Sequence, residues 1–328
     1  MRRVRYSVER WPLNEPFVIS RMEPMLHGEV VVVEITENGL TGRGECERND
    51  VFEPEYPSVT RMVEGCLPKL EQGLSRLDLQ RQLPPGNARN AIDCALFDLE
   101  AKQQDISTRT LAGLEITAKP ITTAFTLSLG SAESMARAAH KHAHRPLLKL
   151  KLGREGDLSR VKAVREAAPE ARLMIDANMG WRFEQLVEYA PMLKALGVEM
   201  IEQPLKQEEE YLLEGYEPPI PIVADESCID RTSLTLLKGR YQGINIKLDK
   251  TGGMTEALAL LTEAKSQGFE IMVGCMIGTS LAMAPALLLA EHARWVDLDG
   301  PLLLAQDHDN GLHYENGTIY PLEGRLWG

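Results

Sequence analysis

Three carboxylates stand at the ends of three consecutive short apolar segments. Asp176 ends the segment LMID, Glu202 ends EMIE and Asp225 follows PIVA. If these segments are neighbouring parallel strands, their carboxylates meet at one edge and can surround one cation. Three hard oxygen ligands, with no histidine or cysteine nearby, favour Mg²⁺ over zinc, with Mn²⁺ as the alternative. A cation would also allow the three carboxylates to coexist, because otherwise they would repel one another.

Three lysines accompany these carboxylates. Lys149 and Lys151 lie two residues apart in LLKLK, so in a strand they share a face. Lys247 ends a further apolar segment, GINIK. Two lysines facing each other across a substrate carboxylate form a two-base site, in which one removes the proton from the adjacent carbon and the other returns it on the opposite face. Nearby positive charge is expected to lower the pKa of such a base towards neutrality.

The elements that position these groups recur with a steady period. From about residue 120, short apolar strands alternate with helical stretches, and the polar strand ends follow one another every 22 to 28 residues. These ends are Thr126, Lys151, Asp176, Glu202, Asp225, Lys247, Cys275 and Asp297. Eight such units predict a TIM-type barrel, whose active site lies at the carboxyl ends of the strands. No glycine-rich fingerprint follows any strand, so a doubly wound open sheet is less favoured.

The first part of the chain predicts a separate α+β domain. The β-branched run 29–36 (EVVVVEIT) predicts a strand, Asn38-Gly39 a hairpin turn, and 41–46 the returning strand. Apolar residues at helical spacing then predict helices at about 58–72 and 87–103.

The order of the motifs LKLKLG, DAN, EQP, ADES and NIKLDKTGG resembles the enolase superfamily, in its muconate lactonising enzyme subgroup. Members of that superfamily use a Lys or His base with magnesium to stabilise an enolate-type intermediate. The resemblance covers the whole chain and implies an α/β fold: a (β/α)7β TIM-type barrel with an N-terminal α+β capping domain. The implied divisions are a cap over 1–117, a barrel with the active site over 118–308, and a C-terminal segment over 309–328 that returns to the cap.

The resemblance also implies roles for the charged residues. Asp176, Glu202 and Asp225 would be the metal ligands. Lys151 and Lys247 would be the acid/base pair. Lys149 would stabilise the negative charge of the substrate carboxylate.

The run Asp297-Leu298-Asp299 resembles the DxD motif of dipeptide epimerases. Two aspartates two apart on the eighth strand would share a face and bind the free ammonium of a dipeptide. By the same likeness Thr126 and Cys275 line the substrate pocket. Arg21, in a loop over 12–24 expected to fold over the barrel mouth, is similar in place to an arginine that selects an acidic side chain.

Composition excludes several classes of partner. Acidic residues outnumber basic ones by 48 to 36, a net charge of −12, which argues against nucleic acid or an anionic membrane as a partner. The longest apolar run, 281–290, is too short to span a bilayer, and no signal peptide is recognisable. Five cysteines without CxxC spacing indicate reduced thiols and a cytoplasmic protein. Barrels of the subgroup are often homo-oligomers, which is the expectation here.

These observations predict a Mg²⁺-dependent isomerase that inverts the C-terminal residue of a dipeptide, with an alanyl-glutamate of cell-wall origin as the first candidate substrate. Three other activities of the same subgroup remain as alternatives: those of an o-succinylbenzoate synthase, an N-acylamino acid racemase and a cycloisomerase. A different class is a Schiff-base aldolase with Lys151 or Lys247 as nucleophile, although it leaves the carboxylates unexplained. A non-catalytic metal-binding protein is the fourth reading, but it would need no opposed lysines.

Overall fold

The computed structural model describes residues 2–20, 23–48, 58–114, 119–321 and 326–328. Elements are numbered in chain order. The N-terminal part is an antiparallel sheet in the order β1-β2-β3, with helices packed on it. Its elements are β1 (Arg3–Phe17), β2 (Met25–Glu37), β3 (Leu40–Glu47), α1 (Val59–Glu71), α2 (Arg76–Gln82), α3 (Asn87–Gln103) and α4 (Thr108–Leu111).

The predicted hairpin and both predicted helices of this part are confirmed. Asn38 and Gly39 take φ of 52° and 82°, the left-handed conformation that a tight hairpin turn requires. Helix α1 begins after Ser58, whose hydroxyl accepts from the backbone N–H of Arg61. Strand β1 was not predicted, and it carries the chain as far as Phe17, so the predicted loop over 12–24 is shorter than expected.

The second part is the predicted barrel, with eight parallel strands in sequence order. A two-residue strand, β4 (Ile121–Thr122), precedes it. The barrel strands are β5 (Phe125–Leu127), β6 (Leu147–Lys151), β7 (Arg172–Asp176), β8 (Val198–Glu202), β9 (Ile222–Ala224), β10 (Gly243–Ile246), β11 (Glu270–Gly274) and β12 (Trp295–Asp297). The seam between β5 and β12 is joined by a backbone hydrogen bond from Ala124 N to Val296 O of 2.8 Å.

Helices cover the outside of this ring. They are α5 (Ala132–Lys141), α6 (Asp157–Ala167), α7 (Phe183–Ala195), α8 (Leu234–Leu237), α9 (Leu248–Thr251), α10 (Met254–Ser266), α11 (Ser280–Ala290) and α12 (Gly300–Leu303), with 3₁₀ turns at Gln207–Leu213 and Arg231–Ser233. Leu148, Leu150 and Leu152 pack into this helix layer and are fully buried, as the alternation in LLKLKL predicts.

The end of the chain contacts both parts. Strands β13 (Tyr314–Glu315) and β14 (Thr318–Ile319) form a hairpin that pairs with β4. Trp327 stacks on Phe97 of α3, with ring centroids 6.0 Å apart, and its indole N–H donates to Cys94 O. The last residues therefore lie against the cap helix α3. No helix in the described ranges is long and apolar enough to cross a membrane.

Candidate active site

The inside of the barrel is built as an apolar floor with a polar layer above it. The floor is a cluster of buried side chains: Ala124, Leu147, Met174, Met200, Val223, Met272 and Trp295. Because side chains alternate along a strand, the residue two positions further on points into the same interior, one layer higher. Those residues are Thr126, Lys149, Asp176, Glu202, Asp225, Gly274 and Asp297. The polar layer therefore lies at the carboxyl ends of the strands, as predicted.

The three predicted metal ligands are almost completely buried, at 0%, 0% and 3% exposure for Asp176, Glu202 and Asp225. They end or follow adjacent strands, and Asp176 is paired in register with Glu202. Within the described residues they do not converge as a ready-made metal cluster, because lysine ammonium groups stand among them. Their common ligation of one cation stays a prediction.

Lys149 occupies the centre of this layer at 1% exposure. Its Nζ lies 2.6 Å from Glu202 Oε2, 2.7 Å from Asp297 Oδ2 and 3.4 Å from Asp176 Oδ2. Burial disfavours its charge, but Asp297, Glu202 and their neighbours outweigh burial and raise the pKa of Lys149 well above its ordinary value. This lysine thus links the predicted metal ligands to the DxD pair.

The two predicted acid/base lysines lie on opposite walls, since β6 and β10 are four strands apart in the ring of eight. Lys151 Nζ donates to Asp176 Oδ2 at 2.6 Å, and Lys247 Nζ donates to Asp225 Oδ2 at 2.7 Å. Burial opposes the charge of Lys247, but Asp225 and Glu202 more than compensate and raise its pKa. The direction is opposite to the predicted one, because the carboxylates that the sequence argument gave to a cation form ion pairs with the lysines here.

The same pairing sets the pKa of each carboxyl group. Burial works to raise the pKa of Asp176, yet the ammonium groups of Lys151 and Lys149 outweigh it and lower that pKa to about 2. The pKa of Asp225 is lowered in the same way by Lys247 and Lys250. For Glu202, burial and the charge of Asp176 outweigh the effect of the lysines, and its pKa rises to about 7. The layer thus carries charge of both signs in a buried part of the barrel.

Could a cation fit among these groups? Glu202 Oε1 accepts from Asn245 Nδ2 at 2.6 Å, whereas Oε2 is buried without a hydrogen bond to any described residue and forms an ion pair with Lys149. The donor set is three buried carboxylates without a thiolate or imidazole, which is the set that Mg²⁺ prefers. The chemistry of these donors, though not their present arrangement around the lysines, therefore fits a hard divalent cation.

The DxD pair lies at the seam of the barrel, against Thr126. Asp299 Oδ2 accepts from Thr126 N at 2.6 Å, and Asp297 Oδ1 accepts from Thr126 Oγ1 at 3.4 Å. One detail of the prediction is wrong: β12 ends at Asp297, and Asp299 follows it as the residue preceding α12. The two carboxylates are neighbours because the chain turns there, and burial together with Asp297 raises the pKa of Asp299 to about 7.

Comparison with known proteins agrees with this architecture. Residues 1–113 match the mandelate racemase/muconate lactonizing enzyme N-terminal domain, and residues 131–325 match the enolase C-terminal domain-like family. The chain belongs to the enolase superfamily. It is similar to L-Ala-D/L-Glu epimerase of Escherichia coli K12, with 45% identity over 98% of this chain and 100% of that protein. It is also similar to N-acetyl-D-glutamate racemase of a Pseudoalteromonas species, with 42% identity over 91% and 95% of the two chains.

Solved structures of the superfamily show the same likeness. An enolase family member from Agrobacterium tumefaciens, with homology to dipeptide epimerases and bound sodium and L-Ala-L-Glu, is 45% identical over both whole chains, with a TM-score of 0.96. A dipeptide epimerase from Cytophaga hutchinsonii complexed with Mg and D-Ala-L-Val is 27% identical over 97% of this chain and 92% of that one, with a TM-score of 0.89.

The remaining predicted site residues are Cys275 and Arg21. Cys275 follows β11 and is partly buried, and burial raises the pKa of its thiol. Arg21 lies outside the described residues. The chain just before it does reach the mouth: the Phe17 ring centroid is 6.0 Å from Lys151 Nζ, and Val18 O accepts from Leu129 N at 3.0 Å.

Two residues of the layer were missed by sequence reasoning. Asn245, which donates to Glu202, lies two positions before Lys247 on β10, so strand alternation could have found it. Lys250 Nζ donates to Asp225 Oδ1 at 2.6 Å and to Asn245 O at 2.9 Å. No strand pattern signals Lys250, since it belongs to the short helix α9, which turns its side chain back to Asp225.

Proposed function

We propose that this enzyme is a dipeptide epimerase, an isomerase that inverts the α-carbon of the C-terminal residue, with L-Ala-L-Glu and L-Ala-D-Glu as the first candidate pair. The observation that carries the proposal is the buried carboxyl end of the barrel, where Lys151 and Lys247 lie on opposite walls and the Asp297/Asp299 pair lies at the seam. The similarity to relatives named as epimerases and racemases supports it.

The two lysines supply the inversion. A substrate α-carbon held between β6 and β10 presents one face to Lys151 and the other to Lys247. The neutral amine on one side takes the α-proton, and the ammonium on the other side delivers a proton to the opposite face. In the reverse reaction the lysine that donated the proton is the acceptor, and the lysine that accepted it is the donor. Lys149, charged and central, would stabilise the negative charge that develops on the substrate carboxylate as the α-proton leaves.

The predicted metal ligands would hold the cofactor. We assign Asp176, Glu202 and Asp225 to Mg²⁺, supported by their donor chemistry and by a relative complexed with Mg. Bound there, the cation would add positive charge beside the substrate carboxylate and so favour loss of the α-proton. The same carboxylates accept hydrogen bonds from Lys151 and Lys247 and so set the direction of both side chains.

The Asp297/Asp299 pair would select a substrate with a free N-terminus. Both aspartates are buried, at 4% and 3% exposure, and among the described residues Asp297 has an ammonium partner, Lys149, whereas Asp299 has none within ion-pair distance. An amino terminus that lies between them would form charge-assisted hydrogen bonds with both carboxylates. An acyl-blocked amine lacks that charge and adds bulk, so an N-acylamino acid would leave the pair unmatched.

A second candidate is racemisation of an N-acylated glutamate, favoured by the 42% identity to N-acetyl-D-glutamate racemase. It uses the same two lysines and the same predicted metal ligands. It differs only at the DxD pair, which would then have no cation from the substrate.

Deuterium uptake tests the choice. The protein, with Mg²⁺, is given L-Ala-L-Glu, L-Ala-D-Glu, the N-acetylated forms of both, and N-acetyl-D-glutamate in D₂O. We expect α-deuterium and inversion with the free dipeptides and a lower kcat/KM for every blocked compound. Preference for N-acetylglutamate would replace the proposal by the second candidate. Borohydride should trap no covalent adduct, and an adduct would point to a Schiff-base aldolase.

We also propose the domain division 1–117, 118–308 and 309–328. It is supported by a second buried cluster made only of side chains from β2, β3 and α1–α3 and the residues between them. The cap would close the mouth of the barrel and, through the loop around Arg21, set the preference for the substrate side chain.

A further inference from the structure

Lys247 is attached to a short helix, α9 (Leu248–Thr251), rather than lying within a strand. Its carbonyl accepts hydrogen bonds from Lys250 N and Thr251 N, both at 3.0 Å. The first turn of α9 thus holds the backbone of Lys247, and a shift of the helix would move the ammonium group with it.

One buried guanidinium of the cap forms hydrogen bonds with the other end of α9. Arg89, on α3 of the cap and 4% exposed, donates to Thr251 O at 2.6 Å and to Gly252 O at 3.2 Å. These carbonyls are among those that a helix leaves without partners at its carboxyl end, and a cation there is favourable. Arg89 also donates to Leu83 O at 3.2 Å, which ties it to its own domain.

A second contact holds the middle of α9. Asp249 Oδ1 accepts from Asn90 Nδ2 at 3.1 Å and from Glu47 N at 3.3 Å. Asn90 is itself anchored in the cap, because its Nδ2 also donates to Glu45 O at 3.2 Å. Both contacts from α3 therefore reach α9 within four residues of Lys247.

The two glycines after α9 make the approach of the cap possible. Gly252 and Gly253 have φ of 72° and 106°. A Cβ added at Gly252 would lie 2.3 Å from Arg89 Nε, and one added at Gly253 would lie 2.4 Å from Asp93 Cβ. Only glycine tolerates both the conformation and the closeness. The TGG sequence is therefore a docking surface for α3.

Among the described residues, none from α3 supports Lys151 in this way. Lys151 is the last residue of β6, and its ammonium group contacts Asp176 of the next strand and the Phe17 ring. From this difference we propose that Arg89 and Asn90 are positioning residues for Lys247 alone, so that the cap helix α3 controls one of the two proton transfers. The inference rests on the proposed two-base function.

The test measures α-deuterium uptake separately from each epimer of the dipeptide. Lys247→Ala first identifies the epimer whose proton faces Lys247. In Arg89→Met, exchange of that epimer should fall about 10- to 100-fold, because displacement of a reacting group by about 1 Å has that effect. Exchange of the other epimer, which depends on Lys151, should change less than about twofold. Arg89→Lys should restore part of the loss, since one ammonium can still donate to Thr251 O.

Thr255→Val is the matched control. Thr255 lies in the same interface, accepting from Arg76 and donating to Asp93 on the cap side, but it belongs to α10 and does not hold α9. This variant should keep the parental ratio of the two exchange rates. If Arg89→Met does not fold, Asn90→Ala makes the same comparison by removing the contact to Asp249 while leaving Arg89 in place; it also removes the hydrogen bonds of Asn90 to Glu45 O and Cys94 Sγ, neither of which belongs to α9.

The outcomes separate the two proposals. A parent enzyme that exchanges no α-proton would overturn the proposed function together with this inference. A parent that exchanges both epimers, with Arg89→Met or Asn90→Ala slowing both equally or neither, would overturn the positioning role alone. Loss of stability in these variants without a change in the ratio would likewise mean that α3 is only structural.

Discussion

Two sets of buried carboxyl groups in this protein have opposite surroundings. In the polar layer of the barrel, Asp176 and Asp225 are paired with lysines, and those ion pairs lower both pKa values. At the contact between cap and barrel, Glu45, Asp93 and Asp249 are also buried, yet none forms an ion pair with any described residue. Burial raises their pKa values to about 8, 6 and 7.

The difference shows how the molecule separates chemistry from assembly. In the layer, charge is retained in the buried interior, where the lower dielectric strengthens electrostatic interactions with a substrate. At the contact, the carboxyl groups serve as hydrogen-bond partners: Glu45 accepts from Thr279 N at 2.7 Å and Asp93 from Thr255 N at 2.9 Å. We therefore expect changes of charge to abolish activity in the first set and to affect mainly stability at Glu45 and Asp93, whereas Asp249 belongs to the contact that we propose positions Lys247.

The largest effect is expected from Lys151 and Lys247, whose ammonium groups are paired with carboxylates of the layer. Lys151→Ala and Lys247→Ala should each reduce inversion by about 10²–10⁴-fold, because inversion needs a proton donor and an acceptor on opposite faces. Each variant should still exchange the α-proton of one epimer in D₂O, and the two variants should differ in which epimer. Exchange of the same epimer by both would contradict the two-base assignment.

Loss of the paired carboxylates should be nearly as severe. Asp176→Asn, Glu202→Gln and Asp225→Asn each remove a predicted ligand and leave a lysine without its counterion, so turnover should be abolished while circular dichroism shows a folded protein. Chelation of the parent by EDTA should have the same effect, with recovery on adding Mg²⁺. Full activity after chelation would exclude the metal assignment.

A smaller effect is expected at Asp299, which lies beside the polar layer but has a pKa raised by burial, like the carboxyl groups at the cap contact. Its pKa of about 7 means that it takes up a proton as the pH falls below 7 and then no longer attracts an ammonium. The KM for a free dipeptide should therefore rise, by up to about tenfold per pH unit. In Asp299→Asn the KM should be high at every pH. A KM for the parent that does not change between pH 6 and 8 would contradict this role.

The smallest effect belongs to the cap contact. Because the pKa of Glu45 in the folded protein lies above its ordinary value of 4.5, the native state binds more protons, and stability falls as the pH rises from about 4.5 to 8. Glu45→Gln cannot lose a proton there, so its Tm should depend less on pH and exceed the parental Tm at pH 9 by about 2 °C. Activity should stay near the parental value. An unchanged slope of Tm against pH would show that Glu45 is not the group that titrates.

The amino-acid sequence alone determined the barrel and most of the polar layer. Strand alternation and the spacing between strand ends are local properties, so they place Lys149, Asp176 and Glu202 on one inner face without knowledge of the rest of the fold. Strand β1 was missed, although Val4, Tyr6 and Val8 alternate with polar residues and strand alternation could have found it.

Only the tertiary structure determines the contacts between residues that are far apart in the sequence. The turn after β12 brings Asp299 beside Asp297, α9 directs Lys250 to Asp225, and α3 reaches α9 through Arg89 across more than 150 residues of sequence. The direction of each pKa shift also depends on the folded structure and not on the local sequence. A lysine beside a cation and a lysine beside a carboxylate have the same sequence neighbours, and only the folded chain determines which charge lies within 3 Å of Lys247.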